Sequence, residues 1–411
     1  MKITGIVAEF NPLHNGHKYL IDYAKNYLRS DYIITTMSGD FTQRGTPALL
    51  DKYTRADIAI HEGVDLVIEI PSIAATSSAD YFCESGFYAL RNTGIVTDLI
   101  FGAETAGINL FEKAARILND EPELMSTDIS NFMRQGFTYP QAVAKALKNV
   151  TNDEKYVSLF SSANNLLGIY YMRHLLKSKA YILPHCVSRN FVNHHERKID
   201  MNFTSSTNIR ELVKAHDLSR LSAVMPEYSY EKLLEKYHAN EIVFEDDFSS
   251  ILHSKLYELK KFDKYADINS DLSNRIMNER DEFISFSSFV RTMTPKNVTA
   301  SRISRALCHI YLNMTETERE KFRDAHFCPY LHILGFSERG AKLLSCMKTR
   351  ALVPFFVEYS ETKSFNNKTA IHSLNQDIFC SDLYRVIQTQ KTGKHIERET
   401  SRKFSITNVR N

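Results

Sequence analysis

The 411-residue chain contains no run of eighteen or more apolar residues, so the sequence predicts no membrane-spanning helix. Its N-terminus opens on a strand-like apolar segment rather than on a basic region followed by an apolar one. We therefore expect no signal peptide and a cytoplasmic location. The six cysteines form no C-x-x-C pair, which favours reduced thiols over a zinc site or a disulfide framework. Lys and Arg (51) nearly balance Asp and Glu (49), so the net charge of +2 indicates no particular partner.

Two common nucleotide-binding motifs are missing as well. The chain has no G-x-x-x-x-G-K-[ST], which excludes a P-loop, and no dinucleotide-binding glycine fingerprint. Hydrophobic residues make up 43% and charged residues 24% of the chain, as is typical of a globular protein. At this length we expect two or three domains.

Strands and helices alternate in the first hundred residues. The pattern predicts strands at residues 3–8, 32–37, 66–70 and 99–101, and helices at residues 16–28, 52–61 and 79–90. Strands separated by such helices form a parallel sheet with right-handed crossovers, which binds ligands at the carboxyl ends of its strands. We therefore expect the loops at residues 9–15, 38–45 and 102–105 to share one crevice.

The alternation continues to about residue 215. It predicts a helix at residues 163–176, a strand at residues 180–183 extended by residues 187–191, and a capped helix at residues 207–214. Residues 229–360 have helical periodicity and few strand-like runs, and residues 352–359 allow one more strand. We predict an α/β domain with a parallel, Rossmann-like sheet at residues 1–220, followed by a mainly α-helical domain at residues 221–411.

The segment that joins the first strand to the first helix has the residues of a phosphate site. It delivers His14, Asn15, Gly16 and His17 to the predicted start of the helix. The N–H groups and the positive dipole end of a helix N-terminus bind phosphate, and Gly16 lets a nucleotide approach the backbone. Two histidines three residues apart can donate ring N–H groups from one face. Packing histidines are the alternative, but their place after the first strand favours a nucleotide site.

This segment resembles the H-x-G-H motif of the nucleotidyltransferase superfamily, where the motif holds the phosphates of ATP during attack on the α-phosphate. Further motifs extend the resemblance over nearly the whole chain to the bacterial tRNA(Met) cytidine acetate ligase family (TmcAL). These motifs are residues 10–17, 37–45, Lys52, Arg55, Ala56, and residues 63–71, 101–104, 164–169, 205–210, 301–305 and 333–336.

The resemblance implies a two-step reaction. ATP and acetate form acetyl-adenylate, and the exocyclic amine of the wobble cytidine in elongator tRNA(Met) then attacks the acetyl group to give N4-acetylcytidine. ATP would be a co-substrate with Mg²⁺, and neither a membrane nor DNA would be a partner. The implied ATP site comprises Val7, Ala8, Glu9, Phe10, Asn11, Pro12, Leu13, His14, Asn15, Gly16, His17, Lys18, Tyr19, Leu20, Gly102, Asn164 and Arg189.

Three of these residues also have ordinary alternatives. Gly102 leaves room for a nucleoside or only forms a turn, and Asn164 reads adenine or ribose or only caps the following helix. Arg189 pairs with phosphate or lies on the surface. The family has a glycine and a tyrosine after this arginine, and this chain departs from it with Asn190 and Phe191.

Asp40, Arg44 and Lys52 are the catalytic candidates besides His14 and His17. Asp40 can hold Mg²⁺ or cap the turn after the second strand. Arg44 and Lys52, like Gln43, can contact phosphates or tRNA, or belong to the scaffold. We assign no metal site formed by protein ligands alone, because adjacent residues such as those at 194–196 rarely ligate one ion together.

Basic residues late in the chain are the candidates for tRNA contacts. From Arg385 onward there are seven Lys or Arg against two Glu. Such clusters can follow a phosphate backbone, and aromatic side chains can stack on splayed bases. A solvated basic face is the alternative for the cations, and packing is the equally favoured alternative for the aromatic residues. The candidates are Lys296, Arg302, Arg305, His309, Lys391, Lys394, Arg398, Arg402 and Lys403, with Tyr384 and Phe404 as stacking residues.

Two other functions stay open at this point. One is an adenylyltransferase that acts on a small phosphorylated metabolite, which leaves the second domain and the basic tail without a purpose. The other is an RNA-binding protein that only senses ATP, against which the intact His14 and His17 argue.

Overall fold

The computed structural model describes residues 1–105, 107–188, 204–296 and 298–402. Seven strands in this part of the chain form one sheet. The strands are β1 (Ile3–Ala8), β2 (Tyr32–Ser38), β3 (Leu66–Ile70), β4 (Asp98–Ala103), β5 (Leu183–Ser188), β6 (Leu331–Phe336) and β7 (Phe355–Phe356).

The strand order is β5-β4-β1-β2-β3-β6-β7, and β1 to β5 run parallel. β6 runs antiparallel to β3, and β7 pairs with β6 in parallel. The chain builds β1, β2 and β3 outward in one direction and then returns to add β4 and β5 on the other side of β1. The reversal between β1 and β4 is a topological switch point, where open parallel sheets bind their ligands. The predicted α/β fold with a parallel sheet is confirmed.

Helices cover both faces of the sheet. Those before residue 220 are α1 (Asn15–Asn26), α2 (Lys52–His61), α3 (Ser72–Ala75), α4 (Ala79–Asn92), α5 (Ile108–Asp120), α6 (Glu123–Arg134), α7 (Tyr139–Thr151), α8 (Lys155–Leu159), α9 (Ala163–Ser178) and α10 (Ser206–Lys214). Those after it are α11 (Glu227–His238), α12 (Ser249–Glu258), α13 (Ser270–Glu279), α14 (Phe286–Met293), α15 (Ala300–Tyr311), α16 (Glu316–Arg323), α17 (Ala341–Arg350) and α18 (Lys368–Thr392). Within the described ranges, none of these helices is long and apolar enough to cross a membrane.

Side chains of the strands alternate between two apolar layers, as strand geometry requires. In β3, Leu66, Ile68 and Ile70 pack into the layer that contains α4, α9 and much of the C-terminal half. Val67 packs into the opposite layer with residues of α1, α2 and α10. Because both faces are covered, the strands are mainly apolar on both faces rather than alternately polar.

Several predicted elements have the bounds that the structure shows, including the strands at residues 3–8 and 66–70 and the helix at residues 52–61. β5 starts later than predicted, at Leu183, and the proposed extension beyond Ser188 lies outside the described residues. The strand expected at residues 352–359 is reduced to the two residues of β7.

β6 was not predicted, and it brings the C-terminal half into the N-terminal sheet. All six of its residues are buried beside β3. The division of the chain at residue 220 stays a prediction, but the segment after that point supplies two strands to the sheet of the segment before it.

Gly168 allows α9 to pack directly on β4 beneath the switch point. A Cβ atom on this residue would lie 2.6 Å from the ring of Phe101 and 2.9 Å from that of Phe111. Both rings are buried, and they pack edge to face with their centroids 5.5 Å apart, so neither can move aside easily. The short distance between α9 and β4 therefore depends on the absence of a side chain at Gly168.

Gly168→Ala should lower the free energy of unfolding by about 1–3 kcal/mol, because the added methyl overpacks this contact. Urea denaturation measures the change. Lys177→Ala, at an exposed position of the same helix, is the control and should shift stability by less than about 0.5 kcal/mol. Equal stabilities of the two variants would contradict the packing described here.

Candidate active site at the switch point

A crevice opens at the carboxyl ends of β1 and β4 and contains a cavity of about 200 Å³. All three loops that were expected to share a crevice reach it. Ten residues of the predicted ATP site line it: Val7, Ala8, Glu9, Phe10, Gly16, His17, Tyr19, Leu20, Gly102 and Asn164. The other lining residues are Ile6, Ile21, Gln43, Phe82, Phe101, Leu167, Tyr171, Val187, Ser188 and Ser206.

The predicted residues that do not line the cavity shape the loop behind it. The side chain of Asn11 accepts a hydrogen bond from the backbone N–H of Leu49 at 2.8 Å. Hydroxyl groups bind the carbonyls of Pro12 and Leu13, and the N–H of Asn15 donates to Val224. The Nζ of Lys18 lies 2.8 Å from Asp22, one turn further along α1. Asn11, Pro12, Leu13, Asn15 and Lys18 thus line no part of the cavity, and the first four hold the loop in place.

The two histidines cap the first turn of α1. The Nδ1 of His14 accepts the N–H of Gly16 at 3.0 Å, and the Nδ1 of His17 accepts the N–H of His14 at 3.3 Å. An imidazole that accepts through Nδ1 carries its proton on Nε2 when it is neutral. In its neutral form each ring therefore carries an Nε2–H, a group that can donate to an anion. His14 is buried, and its ring stacks on that of His17 at 3.9 Å, so His17 is the histidine that faces the crevice.

A second helix N-terminus faces the same crevice. Ser205 caps α10, and the next residue, Ser206, lines the cavity. On this helix, Arg210 donates to the carbonyl of Asn11 at 2.7 Å. Burial lowers the pKa of Arg210, the nearby Glu9 acts to raise it, and Arg44 lowers it further. Two positive dipole ends thus face one cavity, which is an arrangement suited to polyphosphate.

Asn164 does not cap α9, because Ser162 does so by accepting the N–H of Asn165 at 3.2 Å. The amide of Asn164 instead donates to Glu104 at 2.7 Å while its side chain lines the cavity. The buried Asn165 accepts the N–H groups of Glu104 and Thr105 at 2.9 and 3.1 Å. This pair of asparagines fixes the loop after β4. The sequence analysis named Asn164 as a site residue but not Asn165.

Arg55 is the most important residue that the sequence analysis left without a role. Its side chain is buried, with 1% of its surface exposed. The guanidinium donates to the carbonyl of Glu9 at 2.7 Å, to that of Leu50 at 2.9 Å, and to that of Gly39. It therefore joins the loop after β1 to the loop after β2.

The three catalytic candidates after β2 do not line the crevice. Lys52 is fully buried, and its Nζ lies 3.0 Å from Glu69 and 2.7 Å from Glu399. Arg44 is exposed at the tip of its loop. Asp40 accepts the backbone N–H of Lys52, the first residue of α2, at 2.8 Å, and it lines a second cavity of about 570 Å³. Catalytic roles for these residues stay predictions, and the burial of Lys52 does not support its role.

The structure corrects part of the predicted tRNA surface. Arg305 is buried in an ion pair with Asp267, and His309 is buried between backbone carbonyls of Ala266 and Thr76. Tyr384 is also buried and donates to the carbonyl of Ala48, so it cannot stack on a base. The tRNA contacts predicted for Arg305 and His309 were wrong because the amphipathic α15 places both residues on its inner face, and for Tyr384 the packing alternative holds. Arg189, Lys403, Phe404 and the residues at 190–196 lie outside the described part of the chain.

Asp40 should make stability depend on pH. Burial raises its pKa to about 6, whereas an unfolded aspartate titrates near pH 4. Between about pH 4 and pH 6 the folded protein therefore binds more protons than the unfolded chain, and the free energy of unfolding falls as pH rises. Asp40→Asn keeps an oxygen for the N–H of Lys52 but removes the titration.

Urea denaturation at pH 4 and at pH 7 tests this expectation. The wild type should lose about 2 kcal/mol more than Asp40→Asn across that interval, at about 1.4 kcal/mol per pKa unit. Asp120→Asn, at an exposed position, should keep the dependence of the wild type. Parallel pH profiles for wild type and Asp40→Asn would show that this carboxyl is not perturbed.

Comparison with known proteins identifies the family. A sequence profile of the HIGH nucleotidyl transferases matches residues 1–399. A tRNA(Met) cytidine acetate ligase of Clostridium novyi (strain NT) is 36% identical over 376 residues, which cover 91% of this chain and 94% of the relative. An enzyme of the same name from Clostridium tetani (strain Massachusetts / E88) is 32% identical over 395 residues, which cover 94% and 96%.

A solved structure agrees with these relatives. The crystal structure of Thermotoga maritima TmcAL bound with alpha-thio ATP matches with a TM-score of 0.89 and 28% identity, over 98% of each chain. The resemblance found in the sequence is confirmed. The chain belongs to the HIGH nucleotidyl transferases and, among them, to the tRNA(Met) cytidine acetate ligase family, and it is therefore an enzyme of the ligase class.

Proposed function

We propose that this enzyme makes N4-acetylcytidine at the wobble position of elongator tRNA(Met), in the cytoplasm, from acetate and ATP through acetyl-adenylate. The observation that carries the proposal is the crevice that two helix N-termini and His17 share at the switch point. Attack of an acid on the α-phosphate needs no side-chain nucleophile. It needs alignment of the two reactants and stabilisation of the charge that develops on phosphate oxygens.

The phosphates of ATP would lie between the N-termini of α1 and α10, with Nε2 of His17 as a donor. The nucleoside would lie along Gly16, Gly102 and Val187, where small and apolar residues line the cavity. Among the described residues no cluster of three or more His, Cys, Asp or Glu could hold a metal ion. Mg²⁺ would therefore be held mainly by phosphate oxygens and water, as it commonly is in ATP sites.

The acetyl end would lie against the apolar lining that α4 and α9 supply to the crevice, which we call the inner arm. Phe82 on α4 and Leu167 and Tyr171 on α9 line this arm. Phe82 and Tyr171 are almost completely buried, and the ring of Tyr171 lies 5.9 Å from that of Phe101. The close approach of α9 to β4 at Gly168 keeps these walls from separating. A small acid fits such an arm, and a longer chain would have to displace packed aromatic rings.

The tRNA would bind through exposed cationic residues of the C-terminal half. Of the predicted set, Lys296, Arg302, Lys394, Arg398 and Arg402 are exposed. Lys391 is partly buried and pairs with Asp247 at 2.7 Å, so we leave it out of the proposed surface. Contacts of this kind with phosphates should weaken steeply as the salt concentration rises.

Incubation with radiolabelled acetate, ATP and total tRNA tests the proposed function directly. We expect labelled N4-acetylcytidine in tRNA(Met) and acetate-dependent exchange of pyrophosphate into ATP. The absence of both products would reject the proposal. Exchange driven by a phosphorylated metabolite would favour an adenylyltransferase instead.

Two substitutions of His17 separate its donor from its structural contact. Asn at this position can accept the N–H of His14 in place of Nδ1 but lacks the Nε2 donor, whereas Ala lacks both. Both variants should lose about 10²–10³-fold in adenylate formation, which is typical for one stabilising donor of about 3–4 kcal/mol. Affinity for tRNA should persist in both, and unchanged exchange in His17→Asn would reject the assigned role.

Leu167→Ala should relax the selection of the acid. The shortened side chain lengthens the inner arm, and one methylene in such a pocket is worth about 10–200-fold in discrimination. We expect the ratio of kcat/KM for propionate to that for acetate to rise by about 10-fold or more in the exchange assay.

Leu20→Ala is the matched control, because Leu20 lines the same crevice from α1. It should change the KM for ATP and leave the preference among acids as in the wild type. If both variants retain the acid preference of the wild type, the acetyl group does not lie against α9.

A further inference from the structure

Glu9 is the one carboxylate among the described residues that line the crevice. It follows β1 directly and lies in the same cavity as His17, Gln43 and Tyr171. A carboxylate repels the phosphates of ATP, so its presence hinders nucleotide binding. Besides its hydrogen bond to the loop after β2, a negative side chain at this place can serve a step other than nucleotide binding.

The position of Glu9 is fixed from three sides. Its Oε1 accepts the backbone N–H of Gln43 at 2.7 Å, and its own carbonyl accepts from Arg55 at 2.7 Å. The next residue, Phe10, is buried with a φ of 47°, a left-handed conformation that a bulky residue adopts only when its surroundings impose it. Such strain beside a cavity is a common mark of a functional site.

The remaining polar groups in the described lining are poor proton acceptors. Gln43 and Asn164 carry amides, and Tyr19, Tyr171, Ser188 and Ser206 carry hydroxyl groups. The Nδ1 of His17 already accepts the N–H of His14, and its Nε2 carries the proton. Glu9 is thus the side chain in the described lining that can take up a proton without giving up a structural hydrogen bond, because a carboxylate has a second oxygen.

We propose that Glu9 is the general base of acetyl transfer, which rests on the function proposed above. The cytidine amine is a weak nucleophile because its lone pair is delocalised into the ring, and it becomes strongly acidic as it attacks. As the N–C bond to the acetyl carbon forms, the proton passes from nitrogen to the carboxylate of Glu9. The C–O bond to AMP breaks, and its electron pair leaves with the phosphate of AMP.

This role separates the two half-reactions, because formation of acetyl-adenylate from acetate anion and ATP moves no proton. Glu9→Gln is nearly isosteric and keeps an oxygen for the N–H of Gln43. Acetate-dependent ATP–pyrophosphate exchange should stay within about 3-fold of the wild type. Single-turnover transfer from enzyme-bound acetyl-adenylate to tRNA should fall by about 10²-fold or more, which is the usual contribution of a general base.

Two further variants serve as the conservative rescue and the matched control. Glu9→Asp keeps a carboxylate on a shorter side chain and should recover part of the transfer rate that Glu9→Gln loses. Glu84→Gln makes the same change outside the crevice, where Glu84 pairs with His326 at 2.8 Å, and it should leave both half-reactions unchanged. A thermal melt of each variant compares their folded states, and if Glu9→Gln does not fold, Glu9→Asp carries the comparison.

Each other outcome has a defined meaning. Unchanged transfer in Glu9→Gln would overturn the role of base. A parallel loss of exchange and transfer would also overturn it, because Glu9 would then serve ATP or its metal ion in the first step. If the wild type has neither activity, the proposed function itself fails, and the role of Glu9 fails with it.

Discussion

The buried guanidinium of Arg55 holds together the two loops between which the crevice opens. It donates to carbonyls of the loop after β1 and the loop after β2, which have no covalent connection near this point. Burial lowers the pKa of Arg55, while Asp40 acts to raise it. An arginine nevertheless stays charged, so the donors are always present. Removal of the guanidinium would leave three carbonyls without this donor, at about 1–3 kcal/mol for each that stays unsatisfied.

The C-terminal half completes this arrangement from the outer side of the β2 loop. Gly45 has a φ of 71°, and a Cβ on it would lie 2.4 Å from the backbone of Arg305 in α15. Ser304 donates to the carbonyl of Gly45 at 3.0 Å, and Tyr384 donates to that of Ala48 at 2.9 Å. The loop that carries Gln43 into the crevice is therefore shaped by helices far along the chain, and the site depends on both halves.

A buried ionic cluster explains why Lys52 was misleading in the sequence. Although burial alone would raise the pKa of Glu69, Lys52 and His332 lower it to about 2. His332 lies in β6 and bonds to Glu69 at 2.5 Å, and Glu399 reaches Lys52 from the end of the described chain. A cation after the second strand looked like a phosphate ligand. Only long-range contacts reveal that it balances carboxylates in the core.

Local patterns predicted those parts of the structure that depend on neighbouring residues. Hydrophobic periodicity and helix-capping residues located β1, β3 and α2, and the H-x-G-H residues located the N-terminus of α1. Pairings between distant residues were not predictable: β6 beside β3, Phe82 beside Leu167 and Tyr171, and Arg305 beside Asp267. The apolar lining also gave no signal, because an aromatic residue that lines a cavity follows the same helical period as one that fills a core.

The distribution of charged side chains in the described lining of the crevice suits the proposed reaction. No Lys or Arg occurs among its described lining residues, and in the proposed function the N-termini of α1 and α10 and the ring of His17 would bind the phosphates instead. Oriented dipoles stabilise developing charge without reorganising during the reaction. Burial lowers the pKa of the Arg210 guanidinium, which lies near enough to Glu9 for the carboxylate to act to raise it, but the Oε1 of Glu9 accepts the backbone N–H of Gln43. In the proposed reaction the site first binds ATP and then removes a proton. Dipolar groups in the described lining would serve the first step without placing a lysine or arginine of that lining against Glu9.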